Sequence, residues 1–254
     1  MSIDATKSEV ALWACAQAWR GDGEIIASAM GTLPTIAVRW AKATFEPDLV
    51  LSDGAAKFVR GIWPIDRPAP GPVEGWAPFR SIFDFAASGK RHAVMGASQF
   101  DQYGQSNISA IGPDFRRPER QLLGVRGVPT NTINHRCGYF VPRHSTRVFV
   151  PEVDVVSGVG FRSPHADAQA TRFTGLSRVV TNLAVLDVDP ESNRLRLASV
   201  HPWSSVDEVL GATGFELVHA DQVPTTEVPG EAELAVLREQ IDPRRVRTRE
   251  LPDD

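Results

Sequence analysis

Glu24-Ile25-Ile26-Ala27-Ser28, then Thr32-Leu33-Pro34 opening a run to about Ala43, then Leu49-Val50-Leu51: this stretch decides the fold class. Its first and last pieces are short apolar runs, suited to buried strands. The middle piece begins on a threonine with a proline two residues later, which a helix tolerates in its first turn, and Pro47 closes the unit. Strand, helix and strand in that order predict an α/β protein, a mostly parallel sheet with helices on its faces.

Outward from there the rhythm continues. Upstream, Ser8 to Trp19 carries Val10, Leu12, Trp13, Cys15 and Ala16 at helical spacing and stops at Gly21 and Gly23. Downstream, residues 61–78 hold Pro64, Pro68, Pro70, Gly71, Pro72, Gly75 and Pro78. Long irregular connections of this kind tend to be functional or to lie against a partner. A helix over Phe79 to Ala87 then feeds a strand at Ala93-Val94-Met95. Later extended runs are Arg147 to Val150, Arg178 to Asp187 and Arg194 to Val200. Helices are expected over Ser205 to Thr213 and Glu231 to Ile241, the second broken by Asp242-Pro243. The expected organisation is one domain over residues 1–254, with 244–254 a charged tail that is frayed or held by a partner.

The 254 residues are 42% hydrophobic and 23% charged, enough for a sizeable core. A formal net charge of -4 provides no basic excess to neutralise phosphates, which argues against a nucleic-acid binder. Cys15 reads as a small core residue and Cys137 as the more exposed thiol, and neither has partners at metal-ligand spacing. Two distant cysteines fit a reducing compartment. With no targeting segment and no apolar run near the roughly 20 residues that span a bilayer, a cytoplasmic protein without a metal is expected.

Three segments can carry chemistry. After Met95 comes the polar loop Gly96-Ala97-Ser98-Gln99-Phe100-Asp101-Gln102-Tyr103-Gly104-Gln105-Ser106-Asn107. Ligands of open α/β sheets bind beyond the carboxyl ends of strands, and the small residues at 96–98 permit close approach to backbone. Gln99 and Asn107 can position a carbonyl or a water; equally, Asp101 and Asn107 can simply bond their own backbone in a turn. The second segment, Gly124-Val125-Arg126-Gly127-Val128-Pro129-Thr130-Asn131-Thr132-Ile133-Asn134-His135, reads as an ordered loop with exposed amides. Arg126 offers a planar fork of donors to a carbonyl gaining negative charge, against the plainer reading of a surface ion pair. His135 is a binding candidate or a hydrogen-bonded structural histidine. The third is Leu51-Ser52-Asp53-Gly54, a strand ending in a polar turn, and Asp-Gly is also an ordinary turn pair.

Taken together these segments resemble the β subunit of the class I coenzyme A-transferases. The loop from Gly96 through Gln99, Asp101 and Gly104 to Asn107 is similar to a characteristic stretch of that family, as are Val179-Val180-Thr181-Asn182-Leu183-Ala184-Val185-Leu186, Thr213-Gly214-Phe215 and Ile241-Asp242-Pro243. The resemblance implies the class I CoA-transferase fold and an active site shared with an α subunit, in an α2β2 heterotetramer. In true transferases the third segment carries a glutamate that attacks the acyl-CoA, a covalent use of carboxylate. Ser52 stands in its place, and the family's glycine-rich loop is replaced by Gly124-Val125-Arg126-Gly127.

One branch of the family, the hydrolases that open the last steroid ring in actinobacteria, is similar in both departures. It also resembles the chain at Asn131-Thr132-Ile133-Asn134-His135 and Val153-Asp154-Val155-Val156-Ser157-Gly158. That resemblance implies hydrolysis of a ring carbon–carbon bond in a cyclohexenone carboxyl-CoA, with the principal base on the α subunit. Arg126 would orient the substrate or hold its oxyanion, and Ser52, Asp53, Gln99, Asn107, Gly127, Asn131, Asn134 and His135 would bind it. Coenzyme A would enter as part of the substrate, with no separate cofactor, no nucleic acid and no membrane. The alternatives are an ordinary CoA-transferase using a displaced carboxylate such as Asp53, and a scaffold that only stabilises its α partner.

Overall fold

The computed structural model describes residues 4–54, 56–69, 71–161 and 175–253. Pro70, within the proline- and glycine-rich connection, lies outside them, as does Asp254 of the tail. The main sheet has six strands in the order β1 (Ile26–Ala29), β5 (Arg91–Met95), β10 (Arg136–Val141), β11 (Gly175–Thr181), β12 (Ala184–Val188) and β13 (Leu195–Val200). The first four run parallel; β12 pairs antiparallel with β11, and β13 antiparallel with β12. The expected α/β architecture with a mostly parallel sheet is therefore present.

Minor sheets join β2 (Leu51–Ser52), β3 (Lys57–Val59) and β4 (Val73–Trp76), then β6 (Gln99–Phe100) with β7 (Ser106–Asn107), and β8 (Ala110–Ile111) with β9 (Arg120–Gln121). The expected strand at 49–51 is shared between sheets. Val50 bridges Ile26 in parallel, then Leu51 turns away to pair with Val59.

Strand alternation divides the core in two. Along β5 and β10, Val94 and Phe140 face one layer, while Ala93, Met95, Cys137, Tyr139 and Val141 face the other. The first layer packs under α1 (Lys7–Ala16) and α2 (Thr32–Thr44). In α2 the residues Leu33, Ile36, Ala37, Trp40 and Ala41 recur at helical spacing and are at most 1% exposed. Burying each large aliphatic among them contributes about 1.5–3 kcal/mol. Trp40 meets Trp13 of α1 at 4.9 Å between ring centroids. The opposite face is covered by α3 (Ser81–Ala87) and α4 (Val128–Asn134), and the chain closes through α5 (Val206–Gly211) and α6 (Glu231–Val236).

Several expectations are corrected. The run Arg178 to Asp187 is two antiparallel strands, because the Thr181 hydroxyl accepts hydrogen bonds from the Leu183 and Ala184 amides and tightens a turn there. The expected loop at 128–134 is helix α4. Cys137, read as the more exposed thiol, is 3% exposed inside β10. The tail is not frayed. Arg247 is 2% exposed and donates to Glu9 at 2.7 Å and Asp242 at 3.0 Å, and the Asp253 carboxylate accepts from the Ser8 amide. No helix among the described residues is long and apolar enough to cross a membrane.

Candidate active site

Beyond the carboxyl ends of β1 and β5, between α3, α4 and the segment 121–127, lies a cavity of about 1180 Å³. Gly96, Ala97 and Ser98 form one wall, as expected of small residues where a ligand approaches backbone. Met30, Phe79, Ile82, Phe83, Leu122 and Leu123 make most of the rest apolar. Phe79 and Leu123 are 77% and 69% exposed, so large apolar side chains stand at the rim. Such exposed apolar surface marks places where a ligand or a partner sits.

The polar groups facing this cavity include two arginines, Arg91 and Arg126, and the amide of Asn131. Arg126 is exposed, and no side-chain hydrogen bond or ion pair of its guanidinium occurs among the described residues. Its backbone is left-handed, φ 48°. A side chain pays about 1–2 kcal/mol for that conformation, and strain of this kind collects at functional sites. Gly127 follows as the N-cap of α4, and Val128, tucked beneath it, is 4% exposed. Asn131 is 3% exposed and accepts from Arg91 at 3.2 Å while reaching the Met95 sulfur with its amide nitrogen.

Among the described residues the lining contains no Asp, Glu, His, Cys or Lys. Those residues present cations, amides and apolar surface here, and no side chain among them serves as a general base near neutral pH. No cluster of three or more His, Cys, Asp or Glu among the described residues could hold a metal ion.

The other sequence candidates fall elsewhere. Gln99 and Asn107 are buried and joined to each other, Asn107 Nδ2 to Gln99 Oε1 at 2.7 Å. Gln99 also donates to Asp154, while the Asn107 carbonyl accepts from the Ser109 amide. This network knits the loop after β5 to the segment around 154, so both side chains brace the cavity wall without lining it. Asp101 accepts from the Tyr103 and Gln105 amides, the plain turn chemistry. Ser52 and Asp53 end β2 outside the cavity lining, where Asp53 accepts from the Ala56 and Lys57 amides.

Asn134 and His135 close the far end of α4. Seven helical residues rise about 10 Å, which separates His135 from Arg126. Asn134 donates within the helix to the Thr130 carbonyl. The His135 ring lies 5.4 Å from that of His92, in a second cluster. There Asp22 accepts from His92 at 2.5 Å and from Arg136 at 2.7 Å. Burial lowers the His92 pKa against the pull of Asp22; burial also works to raise the Asp22 carboxyl, but its two hydrogen bonds hold it below its ordinary value. Sequence reasoning missed Arg91, which begins β5 two residues before the apolar run. Its signal was alternation: Arg91, Ala93 and Met95 share a face.

The parallel-rich α/β sheet, with a cavity beyond the carboxyl ends of its strands, places the protein among the coenzyme A-transferase-like folds. No family model matches the chain. Glutaconate coenzyme A-transferase from Acidaminococcus fermentans has the same fold, with a TM-score of 0.83 at 23% identity, covering 96% of this chain and 97% of that one. Nearer still, the chain is 45% identical to the cholesterol ring-cleaving hydrolase IpdB subunit of Rhodococcus jostii RHA1, over 98% of its length and 97% of that protein. It also matches a chain of the crystal structure of Rhodococcus jostii RHA1 IpdAB with a TM-score of 0.92 at 45% identity, covering 98% and 99% of the two chains. The chain belongs to the family of cholesterol ring-cleaving hydrolase IpdB subunits.

Proposed function

We propose that this chain is the β subunit of a heteromeric hydrolase that opens the last steroid ring of a cyclohexenone carboxyl-CoA by hydrolysing a carbon–carbon bond. The observation that carries the reading is the cavity itself, apolar enough for a carbocycle, holding Arg126 and Arg91, and lined by no base among the described residues. The base, by this reading, is supplied by an α subunit across the exposed rim of Phe79, Phe83 and Leu123, in an α2β2 assembly. Coenzyme A arrives as part of the substrate, so no separate cofactor is required, and the site of action is the cytoplasm.

In the mechanism, water activated by the partner's base adds to a ring carbonyl. The ring bond then breaks and its electron pair passes to the neighbouring carbon as an enolate, which takes a proton. Arg126, with no side-chain partner among the described residues, orients the substrate and offers its guanidinium to the oxygen of the developing enolate. Gly127 and Asn131 shape the wall beside it.

Turnover tests this directly. Neither chain alone should open the ring; the chain reconstituted with an α-type subunit should release a keto-diacid thioester. Turnover by this chain alone would sink the shared-site reading.

A further inference from the structure

Arg91 sits where a cation is costly. It is partly buried, lines the cavity, and has no carboxylate partner among the described residues. Its guanidinium is nevertheless held firmly, Nε donating to Ser28 Oγ at 2.8 Å and Nη1 to Asn131 Oδ1 at 3.2 Å, with Nη2 left without a partner among the described residues. Neutral acceptors orient a guanidinium but do not neutralise it, and an uncompensated charge in apolar surroundings is destabilising unless a ligand brings the opposite charge. Burial accordingly lowers the Arg91 pKa.

Position says which part of a ligand reaches it. Four residue steps along β5 put the Arg91 Cα about 13 Å from that of Met95, and Gly96 just beyond is exposed while Arg91 is half-buried, so Arg91 lines the more enclosed end of the cavity. The bulky coenzyme A half of a thioester must stay on the solvent side. Only its distal end descends.

Resting on the reading above, we propose that Arg91 receives the carboxylate that ring opening creates, and that it selects thioesters whose distal end is anionic or becomes so. The bonds balance. A hydroxyl from water joins the distal ring carbonyl carbon, the adjacent ring bond breaks, and its electrons form the enolate that is then protonated. The base returns the proton it took from water to the enolate carbon, and the former carbonyl carbon stays on the opened chain as a carboxyl whose acid proton passes to solvent. The new charge appears beside Nη2, a planar donor suited to it.

The test compares two probes on the assembled enzyme: the ring-opened diacid thioester, and the same thioester with its distal carboxyl converted to a primary amide. Arg91→Met should weaken binding of the diacid by about 30-fold, or about 2 kcal/mol at 1.4 per tenfold, and binding of the amide by under about 3-fold on the same scale. If Arg91→Met fails to assemble, Asn131→Asp places an internal carboxylate against Arg91 and should lower diacid affinity selectively. Equal losses for both probes, or none, overturn the proposal. Wild-type enzyme that opens no ring, yet loses its carboxylate preference in Arg91→Met, refutes the hydrolase reading while leaving the anion site standing. Normal turnover with an unchanged preference in Arg91→Met refutes only the anion site.

Discussion

Replacing Arg126 by glycine separates its fold role from its functional one. The residue is exposed, its guanidinium has no partner among the described residues, and its φ is 48°. Removing the side chain therefore breaks no side-chain hydrogen bond or ion pair among the described residues and relieves about 1–2 kcal/mol of left-handed strain. Glycine gives back about 0.4–1 kcal/mol through the greater freedom of the unfolded chain. The balance is a gain of roughly 0–1.6 kcal/mol, which for a chain of this size raises Tm by up to about 6 °C. Arg126→Ala keeps the strain and should leave Tm within about 1 °C, a stability change inside the usual surface range. Turnover should behave differently, because losing an oxyanion donor costs about 100- to 1000-fold in kcat. Thermal unfolding and ring-opening rates of the two assembled variants provide the assay. A Tm several degrees below wild type for Arg126→Gly would mean the guanidinium is structural, and turnover within a few-fold of wild type would mean it is not used.

Two further outcomes concern stability. His144 and His201 are buried, and burial pushes both down to about 4, so both are neutral in the fold. The stability this represents is complete above the unfolded value near 6.5 and is lost as pH falls toward 4, on the order of 3 kcal/mol for each residue; denaturant midpoints followed between pH 7 and 4 should fall accordingly, and a flat profile would contradict it. Arg247→Met strands the Glu9 and Asp242 carboxylates, each with a fully buried side chain, although Arg238 still reaches Glu9. A loss near the lower end of 3–5 kcal/mol is expected, read as a Tm drop of roughly 6–12 °C, and an unchanged Tm would show the tail to be dispensable.

The strand-helix-strand beginning at Glu24 was legible because its apolar runs and its proline obey local rules. The return from β11 to β12 was not, since Thr181 tightens the turn with its own hydroxyl and the sequence there, Asn182-Leu183, continues without glycine or proline. Helix α4 was hidden by its composition: Val128, Thr130, Thr132 and Ile133 are β-branched, and Asn131 and Asn134 favour turns. Packing over Met95 overrides those preferences, and with the helix in place His135 moves away from Arg126. Strand β10 was missed because Gly138 interrupts its apolar run, although the strand needs it: a Cβ there would lie 3.0 Å from the Val94 side chain. Of the candidate site, the glycine-flanked Arg126 could be read from sequence. The commitment of Gln99 and Asn107 to each other could not, because it depends on the antiparallel register that sets Gln99 of β6 opposite Asn107 of β7.

Running the reconstituted enzyme in ¹⁸O-labelled water, with borohydride added during turnover, tests the central claim most directly. Hydrolysis at a cavity without a nucleophilic carboxylate predicts one solvent oxygen in the new carboxylate and no reduced residue on this chain. A borohydride-reduced Asp53 or any other enzyme-bound thioester on this chain, with no solvent oxygen in the product, would contradict it and return the chain to covalent coenzyme A transfer.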